Sequence, residues 1–254
     1  MSIKQAKTIE DVIVLLEEII NRSKTDQSPL GYFAALYQKV TIKVKEGIAA
    51  GTFQDGPRME QLDVVFANRY LKAYYEYQEQ QACSNCWRFA FEKSQQYWPI
   101  LLQHLLLGIN AHINLDLGVA AAQVCPGDEI HKLKQDFDTI NAILASLVDG
   151  VETALSEVWP RLKIILKYTN SVDTFLVDFS MQTAREGAWA FALELAPMNR
   201  QEVGLAIVKR DERVREIARL VSNPGYVASG IFKVVRLFER GTVADKISLL
   251  SKIQ

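Results

Sequence analysis

Histidine and cysteine are scarce in this chain, with three of each among 254 residues. A structural zinc site takes four ligands, usually from those two types at short spacings. Cys83 and Cys86 form a lone C-x-x-C with no second pair and no βαβ pattern beside it. They read as two cysteines at a helix edge rather than a redox motif or half a zinc site. An odd, low cysteine count also fits a reducing compartment. Net charge is nearly absent: 29 Lys and Arg stand against 30 Asp and Glu, leaving −1. No global field draws such a chain to nucleic acid or an anionic membrane, so no nucleic-acid partner is expected. The first residues, Met1-Ser2-Ile3-Lys4-Gln5, lack the basic start and apolar run of an export signal. The expected location is cytoplasmic.

Uninterrupted apolar runs are missing too. The greasiest stretch, Pro99 to Leu117, is broken by Gln103, His104, Gly108, Asn110, His112, Asn114 and Asp116. A membrane-spanning helix needs about 20 mostly apolar residues, so no transmembrane segment is expected and this stretch reads as a buried core helix. No sustained apolar–polar alternation marks a strand. The Walker A loop, G-x-G-x-x-G, G-x-S-x-G and H-E-x-x-H are all absent, as are paired E-x-x-H helices.

What is present is a period near 3.6 residues along nearly every long segment. With 49% hydrophobic and 23% charged residues the chain has the composition of a folded globular protein. Thr8 and Asp11 form an approximate capping box before the stripe Val12, Leu15, Leu16, Ile19 and Ile20. A second helix runs from about Leu30 to Ala50 and stops at Gly51. Asp55 or Gly56 caps a third, with Pro57 at its first position, and Ser84 caps a fourth. Pro99 opens the apolar fifth helix, and Asp128 is expected to cap a sixth that passes Gly150 towards a kink at Pro160. Asn170 or Ser171 starts a further long helix ending before Pro197. Asn199 with Glu202 caps a charged helix to about Ser222, and two short helices close the chain. The expected fold is all-α: a single compact multi-helix bundle over residues 1–254, about nine helices, with no significant sheet.

One segment stands apart: Gly108-Ile109-Asn110-Ala111-His112-Ile113-Asn114-Leu115-Asp116-Leu117. Residues four apart share a helix face. His112 and Asp116 therefore lie together, with Asn110 and Asn114 together on the roughly opposite side. A helix apolar nearly all round is buried, and an unpaired buried polar group costs about 1–3 kcal/mol. This helix therefore requires a polar network around it. His112 with Asp116 suits a base held in one tautomer by its carboxylate. The same pair suits two ligands of a divalent metal ion, or a purely structural tie. Asp63 shares an apolar stripe with Phe66 and Tyr70 and is a candidate third acid. Arg185 is a candidate to pair with Asp116 or Asp63, and Arg69 or Arg185 to orient an anionic or carbonyl group. Trp189 lies one turn beyond Arg185. Between Lys209 and Arg219, cations alternate with Asp211, Glu212 and Glu216. This reads as a solvated helix face, with an anionic partner or a lipid surface as the alternative.

The order Asp63-x-x-Phe66-x-x-Arg69-Tyr70, then Trp87, then the ten-residue run from Gly108, then Arg185-x-x-x-Trp189 resembles a bacterial family known as domain of unknown function 5995. The resemblance covers about Leu30 to Leu195. It implies an all-helical fold and a shared site containing Asp63, Arg69, Asn110, His112, Asn114, Asp116 and Arg185, but no assigned activity. A looser similarity, to helical zinc phospholipases and nucleases, breaks down because their additional histidines are missing. Two functions stay open. One is a hydrolase- or lyase-type enzyme. In it His112, Asp116, Asp63, Arg69 and Arg185 act on a small, partly apolar substrate held by Tyr70, Asn110, Asn114 and Trp189. The other is a non-catalytic protein binding a lipophilic or anionic ligand or a protein partner, with the same residues as a structural network.

Overall fold

The computed structural model describes residues 3–159 and 181–253. Among these residues there is no strand, and the regular elements are all helices. In order they are α1 (Ile9–Thr25), α2 (Leu30–Ala49), α3 (Gly56–Gln78), α4 (Asn85–Lys93), α5 (Leu101–Ala111), a π-helical turn (His112–Leu117), α6 (Gly118–Val124), a 3-10 segment (Gly127–Leu133), α7 (Lys134–Val158), α8 (Met181–Leu195), α9 (Arg200–Ser222), α10 (Tyr226–Leu237) and α11 (Val243–Leu250). Eleven α-helices among the described residues replace the expected nine or so. One reason is that the apolar fifth helix is divided by its π turn. The expected kink at Pro160 and the expected helix start at Asn170 or Ser171 lie outside the described residues.

Local sequence explains most boundaries. Thr8 and Asp11 close a reciprocal capping box on α1, and Asn199 and Glu202 close one on α9. Each satisfies two of the donors that open a helix. The Asp55 side chain caps α3 by accepting from the Arg58 N–H, and Gly51 leaves α2 at φ +68°, a conformation open to glycine. Two expected caps are replaced. Asp128 falls inside the 3-10 segment, and α7 begins six residues later. Ser84 makes no side-chain cap on α4. Asp211 of α9 reaches across instead, accepting the Asn85 and Cys86 N–H groups at 2.7 and 2.9 Å. Asp211 is buried, and neighbouring Arg210 donates to the Asn114 carbonyl at 2.8 Å. Those two residues therefore leave the solvated face assigned to them.

The rod Leu101–Val124 has the length and hydropathy of a membrane span, yet 89% of its most apolar 18 residues are buried inside the fold. It runs through the centre, with α2, α3, α4, α8 and α9 packed around it. Two glycines permit this close approach. A Cβ at Gly108 would lie 2.5 Å from the Phe33 ring of α2, and one at Gly118 would lie 2.7 Å from the Ala188 carbonyl of α8. Polar ties pin the rod on the side of α9. Asn114 donates to Asn110 at 3.0 Å, Asn110 donates to the Val214 carbonyl at 2.9 Å, and Gln103 donates to the Val221 carbonyl at 3.0 Å. The three cysteines are all unpaired, and burial raises the Cys86 thiol far above its usual range.

Candidate functional site

The site is built outward from Asp116 on the π turn. A π turn spreads a helix locally and is common where function demands an unusual side-chain placement. Here it spans the six residues from His112 to Leu117, all buried. Three side chains from three elements converge on the Asp116 carboxylate. Arg69 of α3 donates through Nε to Oδ1 at 2.8 Å. Trp87 of α4 donates through its indole N–H to Oδ2 at 2.8 Å. His112 Nδ1 lies 3.3 Å from the same Oδ2.

The charge states follow from this geometry. Burial pushes Asp116 upward, but the Arg69 charge and the bonds from His112 and Trp87 outweigh it. The carboxyl stays below its usual range and ionised at neutral pH. Burial drives His112 downward, and the opposing pull of Asp116 does not overcome it. Neutral His112 thus carries its proton on Nδ1, facing the carboxylate, and Nε2 is a bare acceptor with no hydrogen-bond partner. Its ring lies flat on Phe66, centroids 3.6 Å apart, with Tyr37 set edge-on at 4.4 Å.

The cluster meets solvent beside Arg69. A cleft of about 520 Å³ is lined by Arg69, Trp87 and Asp116, with Lys72, Val65 and Ile3 among its walls. Its N-terminal wall is pinned beside Arg69, where Asn68 exchanges two hydrogen bonds with the backbone of Ala6 at 2.8 and 2.9 Å. Arg69 is the cleft's half-open cation, with its side chain 26% exposed against 2% for Asp116. Its Nε is engaged by Asp116, and its Nη groups take no acceptor among the described residues.

The other residues named from sequence separate into three groups. Asp63 is buried with Oδ2 unpartnered, and burial with nearby Glu60 pushes its carboxyl up to about 8. It sits close enough to Tyr37 for its charge to raise that phenol. Tyr70 is buried among Phe33, Trp87 and Phe91, with its hydroxyl unpartnered. Asn110 and Asn114 face α9, away from the cleft. Arg185 does not pair with Asp116 or Asp63. Its Nε donates to Asn141 at 2.5 Å, a second nitrogen donates to the Phe137 carbonyl, and its guanidinium lies 4.5 Å from the Phe137 ring. Burial lowers it to about 10. Trp189 packs on the same Phe137 ring at 5.0 Å. These two residues tie α8 to α7 and are not cleft residues. Lys72 and Asn68 carry no mark of a site in the sequence, and Trp87, although part of the motif behind the family resemblance, gives no hint there that its N–H meets a carboxylate 29 positions away.

The metal reading finds little support in the donor set. No three His, Cys, Asp or Glu side chains converge among the described residues. Both Asp116 oxygens already accept hydrogen bonds, and the His112 nitrogen facing them carries a proton.

No curated protein and no solved structure shows significant similarity to this chain. A family model described as a family of unknown function (DUF5995) matches residues 9–224, a span that contains every residue of the cleft floor. The chain belongs to that family of unknown function.

Proposed function

We propose that this chain binds a small, partly apolar anion in the cleft floored by Arg69, Trp87 and Asp116. The observation that carries the reading is the state of Arg69. It is half-open, locked in orientation through Nε, and has its Nη edge free towards a 520 Å³ cavity. A guanidinium held this way presents two parallel donors that match a carboxylate or phosphate edge. Asp116, Trp87 and His112 then serve as the frame that fixes the fork rather than as groups that touch ligand. Val65, Ala73 and Ile3 supply an apolar wall, and Lys72 at the rim is paired with Glu76 at 3.7 Å, which leaves Arg69 as the cation for the ligand.

Calorimetric titration with benzoate and with phenyl phosphate tests the proposal. At least one should bind, and Arg69→Lys should weaken it by about tenfold or more, because the cation remains while the planar fork is lost. Unchanged affinity in a folded Arg69→Lys protein would refute the reading.

Acid–base catalysis of a hydrolase or lyase type is the second reading, favoured by one observation: the bare, unpartnered Nε2 of a neutral histidine oriented by a carboxylate. Against it, His112 is 2% exposed and absent from the cleft wall. The two readings part at His112→Ala. Binding requires anion affinity to persist with a lower melting temperature. Catalysis requires a measured turnover to vanish in a protein that still folds.

A further inference from the structure

Helix α10 is apolar on two opposite faces. Ala228, Phe232 and Val235 point into the fold and are buried. On the other side Val227, Val234 and Leu237 are 69%, 51% and 63% exposed, and Phe238 at the helix end is 72% exposed. These positions recur at i, i+7 and i+10, one stripe of a 3.6-residue helix. Soluble surfaces seldom place a contiguous row of large apolar side chains in water.

The surroundings of the stripe indicate what covers it. Tyr97 and Trp98, 60% and 47% exposed, lie on its flank. Lys233 sits 5.7 Å from the Trp98 ring and Arg236 sits 4.9 Å from the Tyr97 ring. Apolar stripe, exposed aromatic rings and cations side by side are the chemistry of the headgroup layer of a bilayer. The C-terminal part of the chain as a whole is cationic. From Asn199 to the C-terminus there are 11 Lys and Arg against 6 Asp and Glu, a balance of +5, although the whole chain carries −1. Glu239, which follows the stripe in sequence, has a buried side chain paired with Arg236 and Lys246, so Lys233 is the cation left to meet lipid.

A second copy of the chain fits the stripe less well. The helix has 12 residues and is therefore about 18 Å long, giving a footprint of about 200 Å². A stable dimer needs about 800 Å² per partner. A two-fold axis through the stripe would also bring Lys233 close to its own copy.

We propose that the exposed face of α10, with Tyr97 and Trp98, docks on an anionic lipid surface, lying in the headgroup layer without crossing it. Flotation of the full chain with vesicles tests this. It should bind vesicles of mixed phosphatidylcholine and phosphatidylglycerol, bind phosphatidylcholine alone several-fold less, and dissociate as salt is raised. Replacing Leu237→Ser and Phe238→Ser together should cut binding by more than about tenfold while the melting temperature holds, since both side chains are already in water. Lys233→Gln should cut binding to the mixed vesicles by about fivefold. Four results would overturn the proposal. These are no binding to mixed vesicles, equal binding to both vesicle types, a dimer in light scattering that the double serine variant dissolves, or a photo-reactive residue at position 237 that cross-links, without lipid, to residues 160–180 of its own chain.

Discussion

Asp63 is the residue whose chemistry departs furthest from its solvated behaviour among the acids. Its carboxyl is raised from an ordinary 3.8 to about 8, so the folded protein holds a proton there that the unfolded chain releases. Between those limits the folded state binds more protons, and stability falls as pH rises, by about 1.4 kcal/mol per pH step. His104 and His112 act in the opposite sense. Both are buried with lowered values, His104 to about 3, so stability is lost as pH falls below the ordinary 6.5. These three groups place the stability maximum near 6.5. Above it the wild type should decline until about 8 and then level, whereas Asp63→Asn should stay flat across that interval. Chemical denaturation across the pH series checks this, and parallel curves for the two proteins would refute it.

The same scale shows how much of the site was legible. His112, Asp116 and Asp63 stand out in sequence because each is a titratable residue in an apolar stripe, where burial demands an explanation. Charge suggests Arg185 as the partner of Asp116 or Asp63, but the structure pairs Asp116 with Arg69. Arg185 goes elsewhere. Its acceptors, Asn141 and the Phe137 carbonyl, are neutral groups on another helix that no charge count reveals. The indole N–H of Trp87 was hidden for the same reason: a neutral donor leaves no mark in charge or hydropathy.

At the scale of the element, the caps that are local in sequence were readable and those supplied from a distance were not. Thr8 with Asp11 and Asn199 with Glu202 each contain both halves of their motif within four residues. The N-terminus of α4 is capped by Asp211, more than 120 positions away. The π turn was also silent, because an apolar segment has the same composition whether it winds by four or five residues. Gly118 shows what that central rod requires. A methyl there would lie 2.7 Å from the Ala188 backbone carbonyl and 3.0 Å from Phe191, and a backbone atom cannot rotate aside. Gly118→Ala should therefore cost about 1–3 kcal/mol in chemical denaturation, despite alanine's better helix propensity. Gly204, with nothing within 4 Å of its added Cβ, is the control. Gly204→Ala should be neutral or stabilising. Equal effects at the two glycines would mean that α6 and α8 do not approach as described.

For the whole molecule, the architecture joins a closed polar frame to an open cation. The frame spans α3, α4 and the π turn, and all of it except Arg69 is buried. Asp116→Asn should expose this coupling. It removes a charged acceptor from Arg69 and sets an amide donor against existing donors, which should cost about 1–3 kcal/mol. It should also free the Arg69 charge, so that benzoate binds more tightly in the variant than in the wild type at equal salt. Weaker binding would mean that the orientation Asp116 gives the Arg69 fork outweighs the charge it neutralises.

The most direct test of the Arg69 cleft is the indole N–H spectrum of the intact chain, which has four tryptophans. Trp87 donates to the carboxylate that holds Arg69, so its resonance, assigned through Trp87→Phe, reports on the cleft floor. Titration with benzoate should move the Trp87 signal in a saturable way and leave those of Trp98, Trp159 and Trp189 in place. A stationary Trp87 signal, with benzoate binding registered only at another tryptophan, would contradict the assignment of the anion to Arg69.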